Sequence, residues 1–267
     1  MSVEIETEPI PSVKDLASSE PSTRRACLKT ITTHLEERSP SNPLTPTQCL
    51  QLWRGLYVAL YMHDSKNAVS VQNLASELSK TVQTMASKDD ELRTGQSDPS
   101  WLQSWSLAFW ETICREWSSI DQWRMNKILM LVRFVVRETF NVSLSRAASE
   151  LDDDTSTSPS SLSITSQQTK IFETWPLSPR ERQVPDGLRL HVLDVWVDEL
   201  SGQVDAVQKG LDEGSGETSA EKKSTLIDGA AKRFMVPVEK ISKEAISRGV
   251  KMRAKDALKR WQESFSS

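Results

Sequence analysis

Residues 101–117, WLQSWSLAFWETICREW, decide the fold class of this chain. Successive residues of an α-helix are about 100° apart, so Trp101, Trp105 and Phe109 share one face of this stretch. Trp110 points to the opposite side. A helix that is apolar on two opposite sides has neighbours on both. The stretch therefore predicts a helix packed between other helices, as in a stacked helical array.

The same helical spacing of apolar side chains recurs along most of the 267 residues. A capping residue followed by proline marks two helix starts, at Thr45-Pro46 and at Asp98-Pro99. Pairs of helices recur at roughly 40–50 residues, the period of HEAT-like arrays. We expect an all-α fold, namely a HEAT-like helical repeat or α-solenoid, with a closed helix bundle as the alternative. The periodicity predicts helices over residues 21–38, 45–64, 68–85, 101–117, 121–140, 188–200 and 238–261.

Composition divides the chain into parts. Residues 147–170 are rich in Ser, Thr and Asp and lack periodicity, which predicts a disordered internal linker. On either side we expect a helical-repeat body at 15–146 and a C-terminal helical part at 171–265 with a basic last helix. A flexible N-terminus at 1–14 and a flexible insertion at about 201–224 complete the predicted organisation. No apolar run approaches the roughly 18–20 residues that cross a membrane, so no membrane partner is expected.

The charge is distributed unevenly. Residues 218–267 hold twelve Lys or Arg and six Asp or Glu, a net charge of +6. Residues 1–217 have a net charge of −10, so that the whole chain has a net charge of −4. A basic end on an acidic body suits contact with nucleic acid or with an acidic protein, but charge alone favours the alternative, a solvated amphipathic helix. The candidate RNA- or partner-binding residues are Lys240, Lys243, Arg248, Lys251, Arg253, Lys255, Lys259 and Arg260.

The sequence contains no motif for catalysis or for cofactor binding. The three histidines form no metal-ligating pattern, and neither GxxxxGK[ST] nor GxGxxG occurs. The three cysteines are odd in number and widely spaced, which indicates reduced core thiols of an intracellular protein. We therefore predict a protein that is not an enzyme, with no catalytic residue, cofactor, metal site or small-molecule substrate.

Glu116 is the one carboxylate that falls on the apolar stripe of the 101–117 helix. A carboxylate buried there must be paired, and Arg54 and Arg124 are the candidate partners. A helical enzyme that uses Glu116 as a buried acid is a third, minor hypothesis for the chain.

Three blocks of the sequence resemble one known family. Residues 52–57, LWRGLY, followed by YMHD, are similar to its "LWKGLFY…WMSDK" segment, and 109–117, FWETICREW, match its "FWETxCREW" signature. Residues 185–191, PDGLRLH, with 198–200, DEL, resemble its third block. The chain thus resembles the nucleolar ribosomal-RNA-processing protein one family. The positions that carry the motifs, expected to be structural, are Trp53, Gly55, Trp110, Glu111, Arg115, Glu116, Trp117, Asp121, Arg133 and Arg189.

The resemblance covers roughly residues 16–142 and 184–261 and implies a function. It implies a non-enzymatic ribosome biogenesis factor, a scaffold in nucleolar pre-ribosomal particles that is required for rRNA processing and large (60S) subunit maturation. The implied partners are Brix-type and WD40 assembly factors, ribosomal proteins and pre-rRNA, and the implied location is the nucleolus of the nucleus. The alternative is a cytosolic helical adaptor that binds protein partners and has no ribosomal role.

Overall fold

Helices form every regular element in the part of the chain that the computed structural model describes, which is residues 8–92, 100–149, 160–212 and 217–264. This confirms the all-α prediction. None of the described helices is long and apolar enough to cross a membrane. The elements in chain order are a 3-10 turn (Lys14–Ala17), α1 (Pro21–Glu37), α2 (Pro46–Met62), α3 (Ala68–Leu92), α4 (Trp101–Glu116), a second 3-10 turn (Trp117–Ser119), α5 (Gln122–Ser149), α6 (Ser160–Thr174), α7 (Asp186–Asp212), α8 (Glu217–Glu244) and α9 (Arg248–Ser264).

The cap of α2 is the one that the sequence predicts. The Thr45 hydroxyl accepts the N–H of Gln48 at 3.2 Å, and the Gln48 side chain accepts the N–H of Thr45 at 3.0 Å. This reciprocal capping box satisfies two amides that a helix start leaves unpaired. At α4, in contrast, the capping residue is Ser100 and not Asp98, which lies outside the described residues.

Helices occupy much of the two stretches that composition marked as flexible. α6 lies inside the predicted linker, and α7 and α8 cover most of the predicted 201–224 insertion, although 150–159 and 213–216 lie outside the described residues. The reason is visible in α6, where Thr165 and Gln168 are buried in place of aliphatic residues. A buried face built partly from polar residues hides the period-3.6 pattern on which the prediction depended.

The predicted basic helix over 238–261 is in fact parts of two helices. Pro237 lies inside α8 and does not begin a new helix. The helical backbone is interrupted at residues 245–247, which form the turn between α8 and α9. The N-terminus also departs from the expectation of a flexible 1–14 segment. From Glu8 onward it is tied down, because the Glu8 carbonyl accepts hydrogen bonds from Arg38 and Gln48.

The chain divides into two compact units, Met1–Leu131 (unit 1) and Val132–Ser267 (unit 2). The division falls within α5, whereas composition placed it at the predicted linker. In unit 1, α4 packs against α2 and α3, and the first 3-10 turn packs against α1 and α2. In unit 2, α8 packs against α6, and α7, α8 and α9 all pack against one another.

Each unit has an aromatic cluster at its centre. In unit 1 the Trp53 ring lies 4.9 Å from Trp105 and 4.8 Å from Phe109, and Phe109 meets Trp110 edge-on at 4.9 Å. All four rings, with Trp101, are almost completely buried, so α4 is apolar on two sides as its spacing predicts. In unit 2 the cluster consists of Phe140, Phe172, Trp196 and Phe234, with ring centroids 4.8 to 6.1 Å apart.

Candidate nucleic-acid and partner interface

Three of the family-motif residues serve the interior of unit 1. Trp53 and Trp110 belong to the aromatic cluster, and Gly55 lies where the first 3-10 turn crosses α2. A Cβ on Gly55 would lie 2.8 Å from the Val13 Cβ and 2.9 Å from the Leu16 Cδ1, closer than such carbons approach in folded proteins. Only glycine allows the N-terminal segment to pack this tightly on α2. The role of these positions is therefore to hold the fold.

The motif residues at the end of α4 make local contacts. Glu111 and Arg115 pair at 3.4 Å on the surface, which suits their i, i+4 spacing and contributes roughly 0.2–0.5 kcal/mol. Trp117, in the following 3-10 turn, is half-buried. This part of the motif therefore contributes to the surface of unit 1 as well as to its core.

Glu116 has neither of the partners that the sequence suggested. In the described part of the chain it pairs with neither Arg54 nor Arg124, because the Arg124 guanidinium binds Asp121 instead. Glu116 is only half-buried, so its carboxylate stays open to solvent and does not need the arginine that a fully buried carboxylate would. Its charge is felt by Tyr57, whose pKa is raised first by burial and then by the Glu116 carboxylate.

Asp121 organises the start of α5. Its carboxylate accepts the N–H groups of Trp123 and Arg124, both at 3.0 Å, and the hydroxyl of Tyr61 at 3.2 Å. Arg124 also stacks on the Tyr61 ring, 4.6 Å from its centroid. Burial opposes ionisation, but the hydrogen bonds from Arg124 outweigh it and lower the pKa of Asp121. The motif aspartate is thus a helix cap that joins α5 to α2.

Lys127, which continues the second sequence block of the family, is a buried cation for which the sequence predicted no role. Its ammonium donates to the backbone carbonyls of Tyr61 at 2.8 Å and His63 at 2.7 Å, which closes the C-terminus of α2. Burial, with the nearby charge of Arg124, lowers the pKa of Lys127 to about 8. The signal in the sequence is a lone lysine immediately before the apolar run ILMLV.

Unit 1 has an exposed apolar end. Its described part contains three large apolar side chains that water reaches freely, namely Met62, Val69 and Trp123, and Trp123 is 77% exposed. Met62 ends α2, Val69 begins α3 and Trp123 begins α5. Hydrogen bonds from Arg124 and Lys127 to the last residues of α2 join α5 to α2 at this end, and a hydrogen bond of 2.9 Å between His63 and Ser70 joins the start of α3 to it. Trp and Met are enriched at protein interfaces, so this end is a candidate contact surface.

In unit 2 two motif arginines are used inside the fold, and the first is Arg133. Together with Arg137 it binds the carboxylate of Glu199, which is 4% exposed; the Arg137 Nε lies 2.6 Å from it. Burial works against the charge of Glu199, but the hydrogen bonds from Arg137 and Arg133 prevail and lower its pKa. This cluster connects α5 to α7.

Arg189 is the second, and it fixes the loop before α7. Its guanidinium donates to the carbonyls of Ser178 at 2.8 Å, Glu181 at 2.6 Å and Val184, and to the Asp186 carboxylate at 3.0 Å. A single buried side chain thus satisfies four acceptors of one loop. Its planar fork of donors suits this task, which lysine could not perform.

The basic residues predicted to bind RNA fall into two groups. Four of them pair with carboxylates of the chain itself. Arg253 binds Asp194, Arg260 lies 3.3 Å from Asp198, Lys240 lies 3.5 Å from Glu173, and Lys259 lies 3.8 Å from Glu263 on the surface. Arg253 and Arg260 hold α9 against α7, and are therefore less available to a partner than the sequence suggested.

The other four, Lys243, Arg248, Lys251 and Lys255, have no ion-pair partner in the part of the chain that the structure describes. Positions 248, 251, 255 and 259 follow one another at helical spacing, so their side chains form a stripe along the solvent side of α9. The α9 stripe, as we call Arg248, Lys251, Lys255 and Lys259, carries four positive charges. The opposite face of α9, with Val250, Ala254 and Ala257, is buried.

Comparison with known proteins now identifies the family. The model of the Nop52 family, described as "Nucleolar protein, Nop52", matches residues 7–265. The chain belongs to this family of nucleolar proteins, which confirms the resemblance found in the three sequence blocks and its implied location in the nucleolus of the nucleus.

Among the described residues, no group of three His, Cys, Asp or Glu could hold a metal ion.

The curated relatives have lower but consistent similarity. The chain is 28% identical over 188 residues to ribosomal RNA processing protein 1 homolog A of Mus musculus, a match that covers 70% of this chain and 33% of the relative. Homolog B of Mus musculus is 29% identical, and the match covers 70% of this chain and 22% of the relative. The Caenorhabditis elegans homolog is 23% identical, and the match covers 75% of this chain and 44% of the relative. The chain thus spans less than half the length of these relatives.

Proposed function

We propose that this chain is a non-enzymatic ribosome biogenesis factor, a HEAT-like helical scaffold in nucleolar pre-ribosomal particles that is needed for rRNA processing and large (60S) subunit maturation. Membership of the Nop52 family and the names of its relatives support a role in ribosome biogenesis. The α9 stripe is the observation that supports a direct contact between this chain and the RNA of the particle. It is a set of four cations on one helix face, in a chain whose overall charge is negative.

The geometry of the stripe fits a phosphate backbone. From Arg248 to Lys259 the helix rises about 16 Å, which is long enough to meet several successive phosphates. Arg253 and Arg260 anchor α9 to α7 through Asp194 and Asp198, so the stripe is held in place before any ligand arrives. Preorganised cations lose less side-chain freedom on binding.

The protein contacts of the scaffold are assigned to other surfaces. The exposed apolar end of unit 1 has the residue types of a protein interface, and residues 1–217 carry a net charge of −10, which suits basic partners such as ribosomal proteins. The family resemblance adds Brix-type and WD40 assembly factors and pre-rRNA as partners. These assignments make the chain a bridge between protein and RNA.

The test is a replacement experiment in the host. The endogenous protein is depleted and replaced by the triple variant Lys251→Glu, Lys255→Glu, Lys259→Glu. We expect this variant to leave large-subunit precursors at lower salt than the wild type does, and precursor rRNA to accumulate while small subunits persist. Sedimentation at a series of salt concentrations, with measurement of rRNA precursors, gives the readout.

The matched control is Lys14→Glu, Lys29→Glu, Lys80→Glu, which makes the same change of charge at three exposed lysines of unit 1. It should behave as the wild type does. If the α9 variant stays on the particles at every salt concentration, the RNA contact is wrong. If rRNA processing is normal after depletion, the ribosomal role itself is wrong and the cytosolic adaptor becomes the leading hypothesis.

A further inference from the structure

A groove of about 600 Å³ lies in unit 2, between the 179–186 loop and the turn that joins α8 to α9. Pro185, Asp186 and Arg189 of the third sequence block line it. The part that Arg189 plays in holding the loop does not explain why the groove stays open, and the α9 stripe does not contribute to it. Its walls combine apolar and cationic side chains, with Arg180 and Arg182 on the loop and Ile246 on the turn. The groove therefore offers two kinds of contact to one ligand.

The loop wall is rigid because Arg189 holds it from below. The carbonyls of Ser178, Glu181 and Val184 all accept hydrogen bonds from that one guanidinium. The N–H of Val184 returns to the carbonyl of Glu181 at 3.3 Å and closes the loop on itself. A wall fixed in this way needs little ordering when a ligand binds.

The charges of the groove are not balanced. Three arginines and two carboxylates line it, which leaves a net charge of +1. Asp186 is paired with Arg189 at 3.0 Å, and the Glu181 carboxylate accepts the N–H of Gln183 at 3.0 Å. Arg180 and Arg182 are both exposed and have no ion-pair partner in the part of the chain that the structure describes. The groove thus presents two free guanidinium groups, which bind carboxylates with paired hydrogen bonds.

The apolar part of the groove is equally open. Ile246 is 79% exposed, the highest value among the large apolar side chains of the described residues. Beneath it, Val184 and Val250 line the groove and are themselves buried. An aliphatic side chain placed against Ile246 would stabilise the complex, because both side chains would remove apolar area from water. A phosphate backbone has no such group to offer.

We propose that this groove binds an acidic segment of a partner protein, with its carboxylates on Arg180 and Arg182 and an aliphatic side chain on Ile246. Charge complementarity selects the acidic segment, and the exposed isoleucine favours protein over RNA. The site is argued from unit 2 alone, so it stands whether or not the chain acts on ribosome precursors.

The test uses the purified full chain and a fluorescent, glutamate-rich synthetic peptide that contains a single leucine. We expect Arg180→Glu with Arg182→Glu to weaken binding about tenfold or more. Ile246→Ser should weaken it by a smaller factor. Replacing the leucine of the peptide with serine should weaken binding to the wild type and have little further effect on Ile246→Ser, because both changes remove the same contact.

The matched control is Lys222→Glu with Lys232→Glu, an equal change of charge at exposed residues of α8 that lie about 20 Å or more along the helix from the groove. Equal weakening by this control would mean non-specific attraction and would overturn the proposal. So would displacement of the peptide by oligouridylate with the same dependence on Arg180 and Arg182, which would make the groove an RNA site. Unchanged binding by the arginine variant would overturn it as well.

Discussion

The two units have aromatic clusters of similar size but fix them differently. In unit 1 the indole N–H of Trp53 donates to the Trp105 carbonyl at 3.0 Å, and that of Trp105 donates to the Thr81 hydroxyl at 2.9 Å. In unit 2 the buried indole N–H of Trp196 has no hydrogen-bond partner in the described part of the chain. Unit 1 thus positions its rings by hydrogen bonds within the core, whereas unit 2 relies on packing.

The polar side chains that hold unit 2 together lie at the edge of its core. They are Arg189 and the cluster of Glu199 with Arg133 and Arg137. The comparison shows that similar aromatic clusters do not require the same polar support. We therefore expect the stability of unit 1 to be most sensitive to substitution of its indoles, and that of unit 2 to substitution of its buried charged side chains.

The largest effect is expected at Arg189. Arg189→Met keeps the unbranched apolar stem of the side chain but leaves three carbonyls and the Asp186 carboxylate without the guanidinium that donates to them, so we expect a loss of about 3–5 kcal/mol in the free energy of unfolding. Urea unfolding of the full chain measures it. Arg189→Lys should recover only a part, because lysine lacks the planar fork. A loss below 1 kcal/mol, on the order of a surface substitution, would show that unit 2 is not held at this loop.

A matched pair of substitutions tests the cores themselves. Trp105→Phe and Trp196→Phe remove the same atoms from two fully buried sites, but only the first removes a hydrogen bond. We expect Trp105→Phe to cost about 1–2 kcal/mol more in the free energy of unfolding than Trp196→Phe. Urea unfolding of both variants, followed by circular dichroism, gives the difference. Equal costs would remove the distinction between the two cores.

The smallest effect near neutral pH is expected at Lys127. Lys127→Met deprives the Tyr61 and His63 carbonyls of a donor but also removes a charge that is costly to bury, so the two terms partly cancel, to about 1 kcal/mol. The pH dependence is more distinctive. Because the pKa of Lys127 is lowered from 10.5 to about 8, the unfolded chain binds the proton more tightly.

The free energy of unfolding of the wild type should therefore rise between about pH 8 and 10.5, by up to about 1.4 kcal/mol per pH unit from this residue. Subtracting the unfolding curves of Lys127→Met, measured at the same pH values, isolates the contribution. If the two proteins show parallel pH profiles, the ammonium is not buried as the structure has it.

The sequence predicted those features that depend on local spacing. The helical class, the helix cap at Thr45 and the two apolar sides of α4 all follow from residues within a few turns of one another. α6 escaped prediction because Thr165 and Gln168 take buried positions that the pattern reserves for aliphatic residues. Propensity and hydropathy carry no information about which polar groups find partners inside.

The candidate interface shows the same limit. The lysines and arginines of the last helix are evident in the sequence, but Arg253 and Arg260 are paired because α7 places Asp194 and Asp198 beside α9. That juxtaposition is tertiary. The groove was missed for the same reason, since its two walls are separated by about sixty residues and only the fold brings Arg180 near Ile246.

Trp123 gives unit 1 an optical reporter of its own exposed end. Trp53, Trp101, Trp105, Trp110 and Trp196 are sealed from water, while Trp123 is 77% exposed. An indole in water emits at longer wavelength than a buried one and is open to collisional quenchers. The red edge of the intrinsic fluorescence, and its quenching by acrylamide, should therefore be weighted towards Trp123, with smaller contributions from the half-buried Trp117, Trp175 and Trp261. A partner that covers the end of unit 1 would shift the tryptophan emission to shorter wavelength, so its binding could be followed without a label.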